Sequence, residues 1–207
     1  IRKAATIPII KDMATLLVFL LLILPLAMGV EQDSMSSSFN FIRASCRATR
    51  YETLCIQSLS RYAGSVRRDD RSLAKTALTI SLVKARSAQS FVAGLAHAQG
   101  IKGTEGQVIR DCLETVGDSV DRLRESISEL SHIGPGVGSD FLWHLSNVQT
   151  WVSAALTDED TCLDGLSSMN GNTKVVVGRR IRNVARVTSV GLALVNRFAS
   201  NHAGPKP

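Results

Sequence analysis

Between residues 116 and 130 the apolar side chains Val116, Val120, Leu123, Ile127 and Leu130 recur at intervals of four, three, four and three. That spacing is the seam of an α-helix packed in a bundle, and it predicts a helix over about 104–132. A helix from Asp70 to about Gln99 is predicted to turn Leu73, Ala77, Ile80, Val83, Phe91 and Leu95 inward, with Gly100 and Gly103 ending it. The breaker Ile133-Gly134-Pro135-Gly136-Val137-Gly138 is followed by Ser139-Asp140, which can cap a helix running to about Ser168. After Met169-Asn170-Gly171-Asn172 the last helix spans about 173–200 and buries Ile181, Val184, Thr188, Leu192 and Val195. A shorter helical stretch, Ile42 to about Ala63, is broken near Tyr51. Long amphipathic helices on short connections predict an all-α fold, an up-down-up-down four-helix bundle preceded by an N-terminal α-helical hairpin.

Composition agrees with this. Aromatic residues make up 5% of the chain, and Pro135 is the only proline between residues 26 and 204. Strands favour aromatic and β-branched residues, so no sheet competes. The first methionine is Met13, and residues 1–12 read as upstream, non-native sequence. From Met13 the chain runs MATLLVFLLLILPLAMGV, an apolar span of signal-peptide length ending in the small residues Ala27 and Gly29. Residues 13–29 are therefore expected to be a cleaved signal peptide. A signal anchor is the rival, but Pro25 and the short span weigh against a membrane helix. A polar, serine-rich leader (30–40), one domain (41–200) and a short tail (201–207) complete the organisation. The expected location is extracellular, with no membrane contact after cleavage.

The formal charge of +6 shrinks to about +4 once Arg2, Lys3, Lys11 and Asp12 are set aside, too mild and mixed to indicate nucleic acid. Its distribution is more telling. No acid follows Asp164, whereas Arg179, Arg182 and Arg186 share one face of the last helix, opposite its apolar side. An ordinary charged exterior accounts for them; contact with an anionic polysaccharide or a membrane is the functional alternative.

Four cysteines in a secreted domain imply two disulfides. Three pairings are open. Cys46 and Cys55 are close enough for a local bridge across a hairpin, which leaves Cys112 with Cys162. Loop entropy assigns roughly 3 kcal/mol to the short bridge and about 4 to the long one.

The block TWVSAALTDEDTCLDGL (150–166) sets Asp158, Glu159, Asp160 and Asp164 around Cys162. A metal site would need a Cys-x-x-Cys pair or clustered histidines, but His97, His132, His144 and His202 are scattered, so no metal or other cofactor is expected. Catalysis finds no nucleophile elbow, His-Glu-x-x-His, P-loop or dinucleotide fingerprint. Acids facing outward would stay ionised, with no burial to raise one of them for acid catalysis. On the 104–132 helix, Glu114, Asp118, Asp121, Glu125 and Glu129 lie opposite the seam, flanked by Arg110, Arg122 and Arg124. Such carboxylates suit a recognition surface better than a reaction.

The segments FIRASCRATRYETLCIQSL, DCLETVGDSVDRLRESISEL, WVSAALTDEDTCLDGL and TSVGLALVN, together with the order of the four cysteines, resemble the plant invertase and pectin methylesterase inhibitor family over about residues 41–200. The resemblance implies the same hairpin and bundle, the disulfides Cys46–Cys55 and Cys112–Cys162, and an apoplastic protein that covers the substrate cleft of a cell-wall enzyme one-to-one. In the esterase-directed members, the positions matching Asp118, Asp121, Thr161 and Asp164 face the enzyme's pectin groove. Invertase-directed members carry Pro-Lys-Phe before the last helix, where this chain reads GLSSMNGNTKVVVGRR. Pectin methylesterase is thus the expected partner, with acid invertase the alternative and a non-inhibitory pectin-binding module a third reading. The chain ends without an esterase catalytic domain, so a free-standing inhibitor is expected. Members commonly show Asn-Ala where this chain has Val190-Gly191, and Gly191 is expected to loosen the last helix slightly.

Overall fold

The structure, a computed structural model, describes residues 35–97, 103–134 and 138–202. Helix α1 occupies 35–46, α2 Glu52–Leu59 and α3 Ala63–Val66, with a 3₁₀ turn at Ser60–Tyr62. The long helices follow: α4 Asp70–Ala96, α5 Gly103–His132, α6 Ser139–Gly165 and α7 Gly171–His202. Helix α1 starts earlier than its apolar pattern predicts, so residues 35–40 of the serine-rich leader are helical and Ser38 is buried. Residues 13–29, expected to be a signal peptide, lie outside the described residues; among the described ones no helix is long and apolar enough to cross a membrane.

Cross-helix contacts fix the topology. Ser81 meets Thr188 and Arg197 meets Asp70 between α4 and α7. Ser119 meets Glu159 and Cys112 bonds Cys162 between α5 and α6, while Gln149 meets Asn196 and Glu159 meets Thr188 between α6 and α7. In each pair residue numbers rise on one helix as they fall on the other, so all are antiparallel. Arg71 completes the ring by donating to the carbonyls of Leu130 and Ser131 at the C-terminus of α5. There it satisfies orphan carbonyls and places positive charge at the negative end of the helix. The bundle is up-down-up-down, as the pattern predicts, and the α1–α2 hairpin, closed by Cys46–Cys55, packs on the α4/α7 side. Thr49 closes α1 by donating both its amide and hydroxyl to the Cys46 carbonyl.

Two local expectations fail. Val83 is 60% exposed, because the inner face of α4 is Leu73, Ala74, Ala77, Leu78, Ser81, Leu82, Ala85, Ala88 and Val92. Ten residues at 3.6 per turn carry Val83 about 80° round from Leu73, off that face. Ser139-Asp140 does not cap α6 either: the cap is Gly138 in extended backbone, without a side-chain bond.

Gly191 also has a different role from the one propensity suggests. A Cβ there would stand 2.8 Å from Cδ2 of Leu78, which is fully buried, so the two side chains would have to repack. Alanine would gain about 1 kcal/mol in helix propensity but overpack a site where such insertions cost roughly 1–3 kcal/mol. Gly191→Ala is therefore expected to lower the urea-unfolding free energy by about 1 kcal/mol. An increase would show that α4 and α7 are not in closest contact here.

Candidate functional site

The acid-rich block of α6 divides by helical phase. Val148, Val152, Ala155, Glu159, Cys162 and Leu166 follow one another at intervals of four and three, and all are buried. Glu159 is thus a seam residue, contrary to the expectation that these acids all face outward. Its Oε1 accepts from Ser119 Oγ at 2.7 Å and from Thr188 Oγ1 at 2.9 Å. Thr188 Oγ1 also shares a hydrogen bond with Ser81. One polar side chain from each long helix therefore meets in a single layer at the bundle centre. Oε2 of Glu159 has no partner among the described residues. Burial, only partly offset by the two hydroxyls, pushes its pKa up to about 8, so the carboxyl is neutral in mildly acid solution.

The outward acids form a seam between α5 and α6. Cys112–Cys162 brings the two backbones within 4.5 Å (Cα to Cα) and sets their register. Beside it lies an open groove of about 320 Å³ walled by Asp111 and Thr115 of α5 and by Thr161 and Asp164 of α6. The Thr161 hydroxyl bonds back to the Thr157 carbonyl, and both Thr161 and Asp164 are exposed. One turn along α5 from Thr115, exposed Asp118 faces Asp158. Desolvation and then this like charge push Asp158 up, against the Arg122 guanidinium that donates to it at 2.7 Å.

Of the four predicted contact residues, then, Thr161 and Asp164 share the groove and Asp118 extends it. Asp121 stands apart, paired with Arg124 on open surface. Farther along the same seam, Glu129 accepts from Asn147 at 2.9 Å and from His144 at 2.8 Å, which hold its carboxyl below the usual range.

Periodicity did not single out Trp143, which is 62% exposed on the first turns of α6. It stands eighteen residues before Thr161, five full turns, and so on the same face. Thr150, Thr157 and Asp164 also lie exposed near that line. A large aromatic left in water beside a polar stripe is the composition of a docking surface. The signal available in the sequence was the Trp143–Thr161 spacing, and the register that Cys112–Cys162 imposes on Thr115.

Arg179, Arg182 and Arg186 are exposed on α7, and none is ion-paired among the described residues. Only Arg186 reaches another element, its guanidinium 5.8 Å from the centre of the Tyr51 ring. No group of histidines, cysteines and carboxylates able to hold a metal occurs among the described residues.

Comparison with known proteins places this geometry. The profile of the family described as "Plant invertase/pectin methylesterase inhibitor" matches residues 40–194. "Pectinesterase inhibitor 9" of Arabidopsis thaliana is 48% identical over 192 residues, covering 90% of this chain and 94% of that protein. A "21 kDa protein" of Daucus carota is 45% identical over 171 residues, covering 82% and 89%. The crystal structure of a mutant form of a pectin methylesterase inhibitor from Arabidopsis superposes with a TM-score of 0.59 at 19% identity, over 73% of this chain and 92% of that one, a likeness of fold.

Proposed function

This chain belongs to the plant invertase/pectin methylesterase inhibitor family, and on that premise we propose that it is a secreted inhibitor of pectin methylesterase. It is an inhibitor and not an enzyme, in keeping with its family and relatives. The observation that carries the proposal is the exposed α5/α6 face, where Trp143, Thr161 and Asp164 line one side of α6 and Asp118 extends the stripe across the seam. Laid over an enzyme's substrate cleft, this face acts by occlusion: Trp143 supplies a buried anchor, while the hydroxyl and carboxylates bond to groups that would otherwise hold the polysaccharide. One inhibitor covers one enzyme, in the extracellular wall where the pectin lies. Acid invertase is the less favoured partner, since the relatives most similar to this chain include several named pectinesterase inhibitors.

Trp143→Ala is expected to raise the inhibition constant for a plant pectin methylesterase roughly thirtyfold, the effect of removing a central aromatic anchor. Asp118→Ala and Asp164→Ala are each expected to raise it about three- to tenfold, the loss of roughly one ordinary net hydrogen bond at a solvent-exposed acceptor. Asp121→Ala, which already has Arg124, should change it least. Inhibition titrations with each variant, run against both esterase and acid invertase, test the set. Unchanged constants for both Asp118→Ala and Asp164→Ala would remove this surface from consideration.

A further inference from the structure

Charge is divided between the two sides of the bundle. Helices α5 and α6 carry twelve carboxylates against Arg110, Arg122 and Arg124. Helix α7 carries six Lys and Arg and no acid, and residues 35–68 carry six arginines and Glu52 alone. Because the hairpin packs on the α4/α7 side, the basic residues accumulate on the flank opposite the proposed docking face.

That flank is concave. Three open depressions run along the hairpin and share walls. The first, about 450 Å³, lies between α2 and α7 and holds Arg50, Tyr51, Leu54 and Arg186. The second reuses Leu54 and adds Arg61, Tyr62 and Lys84. The third, about 520 Å³, keeps Arg61, Tyr62 and Lys84 and opens over Lys75, with Ile80 and the exposed Val83 as an apolar lining. Together they make one trough. Both tyrosines of the chain lie in it, Tyr51 with the Arg50 and Arg186 guanidiniums each within 6 Å of its ring and Tyr62 38% exposed. Among the described residues, Glu52 is the only carboxylate along its walls.

We propose that this trough binds a linear, carboxylated polysaccharide, the de-esterified galacturonate chain that a pectin methylesterase leaves behind. The choice of a uronate polymer rests on the esterase as target. The chemistry fits part by part. Ring faces of a sugar are apolar and pack on Tyr51 and Tyr62, while carboxylates repeated along the chain meet Arg50, Arg186, Arg61, Lys84 and Lys75 in turn. Methyl-esterified pectin lacks those charges and would not be held. A lipid bilayer is disfavoured by shape, since its surface cannot enter a trough. With enzyme docked at α5/α6 and product held at the hairpin, the inhibitor would accumulate where de-esterification has already occurred.

The test measures binding of the full secreted chain to polygalacturonate, highly methyl-esterified pectin, an RNA homopolymer and anionic phospholipid vesicles, with esterase inhibition assayed in parallel. Two double variants remove the same charge: Arg61→Gln/Lys84→Gln inside the trough, and Arg179→Gln/Arg182→Gln on α7 outside it. The expected result is salt-sensitive binding to polygalacturonate alone, weakened about tenfold or more by the trough pair and by Tyr62→Ala, and less than about twofold by the α7 pair. Equal losses from the two pairs would reduce the effect to net charge and overturn the proposal. So would equal binding to RNA or vesicles, or no retention of the unaltered chain at about 0.1 M salt, where screening is still moderate. Inhibition without polymer binding would defeat this inference alone, and polymer binding without inhibition would defeat the esterase proposal alone.

Discussion

Glu159→Gln is expected to abolish most of the pH dependence of this protein's stability and to make it several kcal/mol more stable than the parent at pH 8. The carboxyl sits at the centre of the bundle with its pKa up at about 8, whereas in the unfolded chain it ionises with the ordinary glutamate value of 4.5. Below pH 4.5 both states are protonated and the shift costs nothing. Between 4.5 and 8 the unfolded chain releases its proton and the folded one keeps it. Unfolding then becomes easier by about 1.4 kcal/mol per pH unit. Above 8 the loss levels off, at about 5 kcal/mol in all.

Glutamine keeps the shape and can still accept from Ser119 and Thr188, but it has no proton to lose. Urea unfolding at pH 4.5, 6 and 8 should give nearly equal free energies for the variant and a steady decline for the parent. Asp158, also pushed up by burial, adds a smaller decline of the same sign in both proteins. Glu129, held down chiefly by Asn147, acts oppositely: its contribution is present at neutral pH and lost as pH falls through its folded value. Parallel profiles for variant and parent would mean that Glu159 is ionised in the native protein, with its charge compensated in place.

Replacing Cys112 and Cys162 by alanine should cost about 4 kcal/mol, more than the roughly 3 kcal/mol expected for the Cys46–Cys55 pair. The separations are 50 and 9 residues, and a longer closed loop removes more disorder from the unfolded chain. For a domain of this size the long-bridge variant should melt roughly 10 °C lower. Alanine is the useful replacement, because both sulfurs are buried and serine would add unsatisfied hydroxyls. The same variant separates stability from recognition. Measured well below its melting temperature, esterase inhibition should fall only modestly if α5/α6 packing maintains the register of Thr115 and Thr161, and steeply if the disulfide alone does. A long-bridge variant as stable as the short-bridge one would argue that the unfolded chain already holds α5 and α6 together.

Most of the fold was legible before any coordinates. The 3.6-residue period of apolar positions is a property of the chain, and the bundle arises from burying those stripes. Proline and glycine placement set the ends of the helices to within a few residues, and the count and spacing of cysteines selected the disulfides. The site was legible only in part. Thr161 and Asp164 do share a groove, because three residues along a helix always leave two side chains on one side. Asp121 was grouped with them through the family resemblance, yet Arg124 holds it on open surface.

What the sequence by itself determined is which stripes are apolar, where helices break, which sulfurs can meet and, through its motifs, which family the chain belongs to. Only the tertiary structure decided that Glu159, an ionisable residue amid other acids, lies on the buried stripe opposite Ser81, Ser119 and Thr188. It also decided that Gly191 leaves room for Leu78, that Trp143 stays in water, and that two tyrosines and five cations from the hairpin, α4 and α7 line one trough. The physical reason is common to all four. Burial and electrostatic environment depend on what a neighbouring helix places opposite a residue, and those partners stand 29 to 135 positions away along the chain.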